Sequence, residues 1–166
     1  MSTTGWRRSL SLAAVICATL GVAACSNDKD LADASAFGAG AATPGSAQDF
    51  VVNVGDRVFF ESDSTDLTPT ATATLDKQAS WLQRYPRYTF IIEGHADERG
   101  TREYNFSLGA RRAQAVTDYL TSRGIASGRM RTVSYGKERP VAVCNDISCW
   151  SQNRRAVTVL DRGAGS

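Results

Sequence analysis

The chain has 166 residues, 42% of them hydrophobic and 22% charged, which excludes both a wholly disordered polyelectrolyte and a multi-span membrane protein. Nineteen Lys and Arg stand against 17 Asp and Glu; without Arg7 and Arg8, which lie in an acid-free N-terminal stretch, the balance is 17 against 17. A neutral domain lacks the bulk charge that holds a polyanion, so nucleic acid is not an expected partner.

Residues 1–8 end in Arg7 and Arg8, and an apolar run follows from Leu10 to Ala24. About 20 apolar residues are needed to span a bilayer, so this run is short for a permanent anchor. A charged start, a short apolar run and small residues before a break form an export signal. Val22-Ala23-Ala24 directly precedes Cys25, an order that resembles the bacterial lipobox. Residues 1–24 are therefore expected to be cut away and Cys25 to be acylated, each chain adding about 0.8 kcal/mol per buried CH2 of membrane affinity. An ordinary signal with an incidental cysteine is the alternative. Ser26, rather than Asp, after the cysteine favours the outer over the inner membrane.

Residues 25–48 are expected to form a tether. From Ser26 to Gln48 there are seven alanines, three glycines and one proline, with Leu31 and Phe37 as the large apolar residues. Such a stretch cannot bury a core.

From residue 49 the texture changes. Val51–Val54 reads as a short strand and Arg57–Phe60 as a second. Thr68 precedes Pro69 as an N-cap precedes a first-turn proline, and Ala71, Leu75, Ala79 and Leu82 then recur at helical spacing up to Pro86. Tyr88–Glu93 is β-branched and aromatic, hence a strand. A polar loop from Gly94 leads to a second amphipathic helix carrying Leu108, Ala115, Val116, Tyr119 and Leu120, closed by Gly124. Met130–Tyr135 is a strand, Ile147–Asn153 a short helix and Ala156–Leu160 a last strand. The alternation predicts an α/β sandwich over residues 49–164, one mixed sheet with helices packed over one face.

The segment Gly94–Val116 (GHADERGTREYNFSLGARRAQAV) concentrates charge between a strand end and a helix start, where α/β proteins bind ligands. Asp97 lies in the loop, and Arg112 shares a helix face with Leu108, four residues earlier. If the loop folds over the helix start, the two charges face across a pocket suited to a zwitterionic amino acid: Asp97 for the ammonium, Arg112 for the carboxylate. Spacing alone favours a simpler outcome, in which Asp97 and Arg112 pair with each other or with Arg99 and Glu103.

Several motifs in one order resemble the OmpA-like peptidoglycan-binding domains, and among them the peptidoglycan-associated lipoproteins. They are Phe59–Leu67 (FFESDSTDL), Gly94–Asn105 (GHADERGTREYN), Ser107–Val116 (SLGARRAQAV), Ser134–Pro140 (SYGKERP) and Gln152–Val157 (QNRRAV), behind a lipobox and tether. The resemblance implies a domain that holds the meso-diaminopimelate of the peptidoglycan stem without chemistry or cofactor. It assigns Asp97 to the ammonium, Arg112 to the carboxylate, and Asn105 and the backbone near Leu108 to fixing loop and ligand. Phe60 and Glu61 match positions lining the pocket, and Arg154 the arginine-rich segment beside it. The implied protein is an outer-membrane lipoprotein facing the periplasm, anchored through Cys25. It binds TolB of the Tol system and helps the membrane follow the dividing septum. Two positions depart from the pattern: Phe60-Glu61-Ser62-Asp63 where F-D-F-D is frequent, and Arg102 where proline is common. A lipoprotein of another envelope complex is the alternative within the family.

His95 is the sole histidine. With Asp97, and with Cys144 far along the chain, it raises the alternative of a periplasmic enzyme or metal binder. One histidine without a second makes a poor zinc site, and the chain has no G-x-S-x-G. His95 is read as structural, fixing the loop. Cys144 and Cys149 enclose four residues; in an oxidising compartment a disulfide is expected, two buried thiols being the alternative. Trp81 and Trp150 are read as packing residues rather than sugar platforms.

Overall fold

The computed structural model describes residues 42–161. The expected signal segment, Cys25 and most of the tether lie outside them. The tether boundary at residue 48 is corrected. Ser46 caps a single turn, α1 (Ala47–Asp49), by accepting from the Asp49 N–H, and the Gly45 carbonyl accepts from Arg87 Nη2 and the Tyr88 hydroxyl, both at 2.8 Å. The short strand expected at Val51–Val54 is also corrected: Phe50–Gly55 is a wide, π-type helical turn. The Asp49 carboxylate accepts from Gly45 N–H (2.9 Å), Asn53 Nδ2 (2.8 Å) and Trp81 Nε1 (2.8 Å). These bonds fold the stretch back on itself, bury Phe50 against the Trp81 ring and leave Val51 and Val52 exposed.

After β1 (Arg57–Phe59), Thr68 caps α2 (Pro69–Arg84), with proline in the first turn. β2 (Thr89–His95) leads through a loop to α3 (Arg102–Ser122), capped by Thr101. A 3-10 turn (Ser127–Arg129) precedes β3 (Met130–Gly136); α4 (Ile147–Asn153) and β4 (Arg155–Asp161) close the order. The sheet runs β1-β4-β2-β3, with β2 and β3 parallel and the other pairs antiparallel. It is the mixed sheet of an α/β sandwich. Alternation on β2 sends Phe90 and Ile92 into a core shared with Leu75, Ala79 and Leu82 of α2 and Ala113, Val116 and Leu120 of α3. Burying each large side chain stabilises by about 1.5–3 kcal/mol.

One backbone contact sets the position of the site. A Cβ on Gly94 would lie 1.8 Å from the Gly109 carbonyl oxygen, and one on Gly109 would lie 2.5 Å from Ser134 Oγ. Two bare glycines let α3 rest directly on the end of β2 and β3. This places the helix start beside the loop that leaves β2.

Candidate functional site

The loop between β2 and α3 is secured from both sides. Ala96 N–H donates to the Gly136 carbonyl (2.8 Å), and Lys137 Nζ to those of Gly100 (2.7 Å) and Glu98 (3.2 Å). Asn105 Nδ2 donates to the carbonyls of Arg99 (2.6 Å) and Thr101 (3.1 Å), and the Trp150 indole to the Glu98 carboxylate. Asn105 therefore acts as a clamp on the loop. Arg102 opens α3 without a proline and pairs at the surface with Glu138, at 3.0 Å.

Above this loop lies an open pocket of about 280 Å³, lined by Ser62, Asp63, Asp97, Arg99, Gly100, Tyr104, Asn105 and Leu108. Of the expected site residues it brings together Asp97, Asn105 and Leu108. Asp97 is buried and accepts from Arg99 Nη2 at 2.7 Å and from Arg154 Nη1 at 3.3 Å. Burial works against its charge, but the hydrogen bonds from Arg99 and Arg154 prevail and hold its pKa below the ordinary carboxylate value. Asp97 thus pairs with Arg99 and Arg154, and not with Arg112.

Arg112 lies beneath the pocket with 0% exposure. Its Nε donates to the Ser64 carbonyl (2.9 Å), Nη1 to that of His95 (2.9 Å) and Nη2 to that of Glu61 (3.2 Å), with the Phe60 ring 5.2 Å from its guanidinium carbon. Burial, and then the charge of Arg154, lower its pKa to about 10, so it stays protonated at neutral pH. Phe60, Glu61 and Arg154 line a neighbouring cleft of about 490 Å³ with Phe59, Thr68 and residues of α4. Arg154 is itself buried and anchored by Nε on the Phe60 carbonyl, at 3.0 Å.

Sequence reasoning missed Ser62, Asp63, Arg99, Gly100 and Tyr104 as pocket residues. Asp63 has φ of 55°, a left-handed conformation rare outside glycine, and accepts from the Tyr104 hydroxyl. Nothing local in the sequence announces that backbone. Arg99 and Tyr104 did lie in the segment singled out for its charge.

His95 needs a correction. Its ring is buried at 2% exposure, and neither ring nitrogen makes a hydrogen bond among the described residues. The ring therefore does not fix the loop; its main-chain carbonyl does, through Arg112. Burial, followed by the charges of Arg155, Arg139 and Arg57, lowers the His95 pKa from 6.5 to about 4. Cys144 and Cys149 are joined in a disulfide with Cα atoms 5.7 Å apart. That bond uses both thiols of the Cys144, Asp146 and Cys149 group, the one metal-sized cluster of such side chains found among the described residues. Trp81 is a core residue, and Trp150 lies under Arg99, ring centroid 4.3 Å from the guanidinium carbon.

A mixed sheet of this order, with a charged pocket at the end of β2, defines an OmpA-like domain. Residues 59–154 match the OmpA family, and the chain belongs to it. Its relatives narrow the class. A protein of Rhizobium meliloti described as a peptidoglycan-associated lipoprotein is 68% identical over 151 residues, covering 89% of this chain and 85% of its own. One of Mesorhizobium japonicum with the same description is 62% identical over 152 residues, covering 90% of each. The crystal structure of the peptidoglycan-associated lipoprotein from Burkholderia pseudomallei superposes with a TM-score of 0.62 at 42% identity, over 64% of this chain and 90% of that one. The C-terminal domain of Helicobacter pylori MotB, at 22% identity and a TM-score of 0.61 over 66% of this chain and 86% of its own, shares the fold.

Proposed function

We propose that this protein is an outer-membrane lipoprotein that grips peptidoglycan non-covalently through the diaminopimelate of its peptide stem. The observation that carries this reading is the pocket in which Asp97 and Arg99 present opposite charges beside Asn105 and Leu108, above the buried cation of Arg112. A zwitterionic amino-acid end meets both signs there without net charge transfer. Nothing in the reading requires bond making, so the protein acts as an anchor and not as an enzyme.

Acylation of Cys25 would fix the chain in the outer membrane, and the family resemblance supports a role with TolB and the Tol system during envelope constriction. The test is calorimetric titration of the full acylated chain in detergent micelles. The titrants are the tripeptide L-Ala-γ-D-Glu-meso-diaminopimelate and its lysine counterpart. Saturable binding of the first and much weaker binding of the second is expected. Binding of neither would overturn the reading.

A further inference from the structure

Close to where the described chain begins, a groove of about 390 Å³ runs between the π-type turn Phe50–Gly55 and the exposed side of α2. Val54 and Trp81 give it an apolar floor, and Lys77 and Arg84 stand along it. The two cations are seven residues apart on α2, roughly 10 Å along the helix axis. Both are exposed, and neither makes a hydrogen bond or ion pair among the described residues. The acids beside them are already engaged. Asp76, on the groove wall, is paired with Arg123 Nε (2.8 Å) and accepts from the Tyr119 hydroxyl (2.8 Å). The Asp49 carboxylate accepts from three donors, Trp81 Nε1 among them. The groove therefore carries two unmatched positive charges over an apolar floor. Val51 and Val52, 47% and 61% exposed, extend that apolar surface from the same turn.

The place where the tether enters identifies what meets this groove. The Gly45 carbonyl is held by Arg87 and Tyr88, and the Trp81 ring lies 4.6 Å from that of Tyr85 and 5.2 Å from that of Tyr88. Entry point and groove are thus one aromatic cluster apart. Cys25 lies 17 residues ahead of Ala42, and at about 3.3–3.6 Å per residue that length spans no more than about 60 Å. An acylated Cys25 keeps this end of the domain within that distance of the lipid headgroups. Docking there is intramolecular, so a weak contact suffices. We infer that the Lys77–Arg84 groove is a docking site for anionic phospholipid headgroups, whose phosphates meet the two cations while Val51 and Val52 dip toward the acyl chains. The inference rests on the acylation of Cys25 in the proposed function and adds a second, reversible contact with the same membrane. The domain either rests on the lipid through α2 or stands off it with its pocket in the wall.

The experiment uses the mature chain in vesicles whose headgroups carry a nitroxide quencher. After removal of residues 1–24, Trp150→Phe leaves Trp81 as the sole tryptophan. Pure phosphatidylcholine vesicles are compared with an equal mixture of phosphatidylcholine and phosphatidylglycerol. Trp81 should be quenched more strongly on the anionic vesicles, and molar salt should abolish the difference. Lys77→Gln and Arg84→Gln should each lower the ratio of docked to undocked chain roughly fivefold, and the double variant roughly 25-fold, the worth of basic residues at an anionic surface. Both side chains are exposed and glutamine suits a helix, so the variants remove charge without disturbing the fold. Equal quenching on the two vesicle types, or quenching that survives the double variant, overturns the inference while leaving the anchor standing. Quenching that falls as protein density on the vesicle rises would seat a second copy in the groove, and overturns it too. A mature chain that stays off neutral vesicles altogether has no acyl anchor, which overturns that reading and the inference with it.

Discussion

The guanidinium of Arg112 and the main-chain carbonyl of His95 meet at 2.9 Å, tying the first half of α3 to the last residue of β2. The same guanidinium satisfies the carbonyls of Ser64 and Glu61 in the segment that walls the pocket. Arg112→Ala leaves three carbonyls without their donor and a hole among buried groups, and should destabilise the domain by roughly 3 kcal/mol or more. Arg112→Lys, with a compact ammonium in place of a fork, should recover a fraction of that loss. Urea unfolding followed by tryptophan fluorescence measures both. If Arg112→Ala unfolds at the wild-type urea concentration, the structural role assigned to this side chain is wrong. Loss of ligand binding in Arg112→Ala has to be read beside that stability.

The contact between Gly94 and Gly109 makes a second prediction. Gly109→Ala places a methyl against Ser134 Oγ and the Gly94 carbonyl, and should cost about 3 kcal/mol by forcing α3 off the sheet. Gly128→Ala meets nothing within 4 Å and serves as the control, expected to be neutral or slightly stabilising. Thermal unfolding of the two variants should separate them by roughly ten degrees, at about 4 °C per kcal/mol, where the ranges for smaller and larger domains meet.

Replacing both Cys144 and Cys149 by serine opens a loop of sequence separation 5 and should remove about 2 kcal/mol through the entropy of the unfolded chain. Reductant added to the wild type should reproduce the shift and do nothing to the double variant. Equal unfolding midpoints with and without reductant would show that the bridge does not stabilise the fold.

His95 sets a pH dependence. Its pKa is about 4 in the folded chain against 6.5 as the ordinary value, so the unfolded chain binds the proton first. The stability it allows is fully present above pH 6.5 and drains away as pH falls toward 4, by up to about 3 kcal/mol. Asp97, held below the ordinary carboxylate value of 3.8, contributes stability that is present above that value and is lost only as pH falls below it. His95→Phe should flatten the stability profile between these limits while keeping the ring beside Tyr135. Parallel wild-type and variant slopes in urea midpoint against pH would refute the assignment.

The helices were legible because their signals are local: Thr68 before Pro69, Gly124 after the second helix, and apolar residues at helical spacing. The apolar run Val51–Val54 misled because strand propensity is a statement about packing, and here Asp49 and Trp81, 32 residues apart, decide the packing. The pocket was half legible for the same reason. Asp97, Asn105 and Leu108 lie within one segment, whereas the wall carrying Ser62 and Asp63 is brought in from β1 by the long-range bonds of Arg112. The competition of Arg99 with Arg112 for Asp97 is a question of reach and burial, which spacing cannot rank.

Gly45, where the described chain joins the domain, is fastened to Tyr88 just before the first residue of β2, while Asp97 lies two residues past its last. Seven residues of strand, roughly 20 Å, separate the two. Tension between membrane and wall would thus run lengthwise along β2, flanked on one side by β4 and on the other by β3. With both ends of the load on one strand, the covalent backbone of β2 would carry it, and the ladders to β3 and β4 would keep that strand in place. On the proposed reading this inner strand would serve as a tie rod between the tether side and the pocket side of the domain.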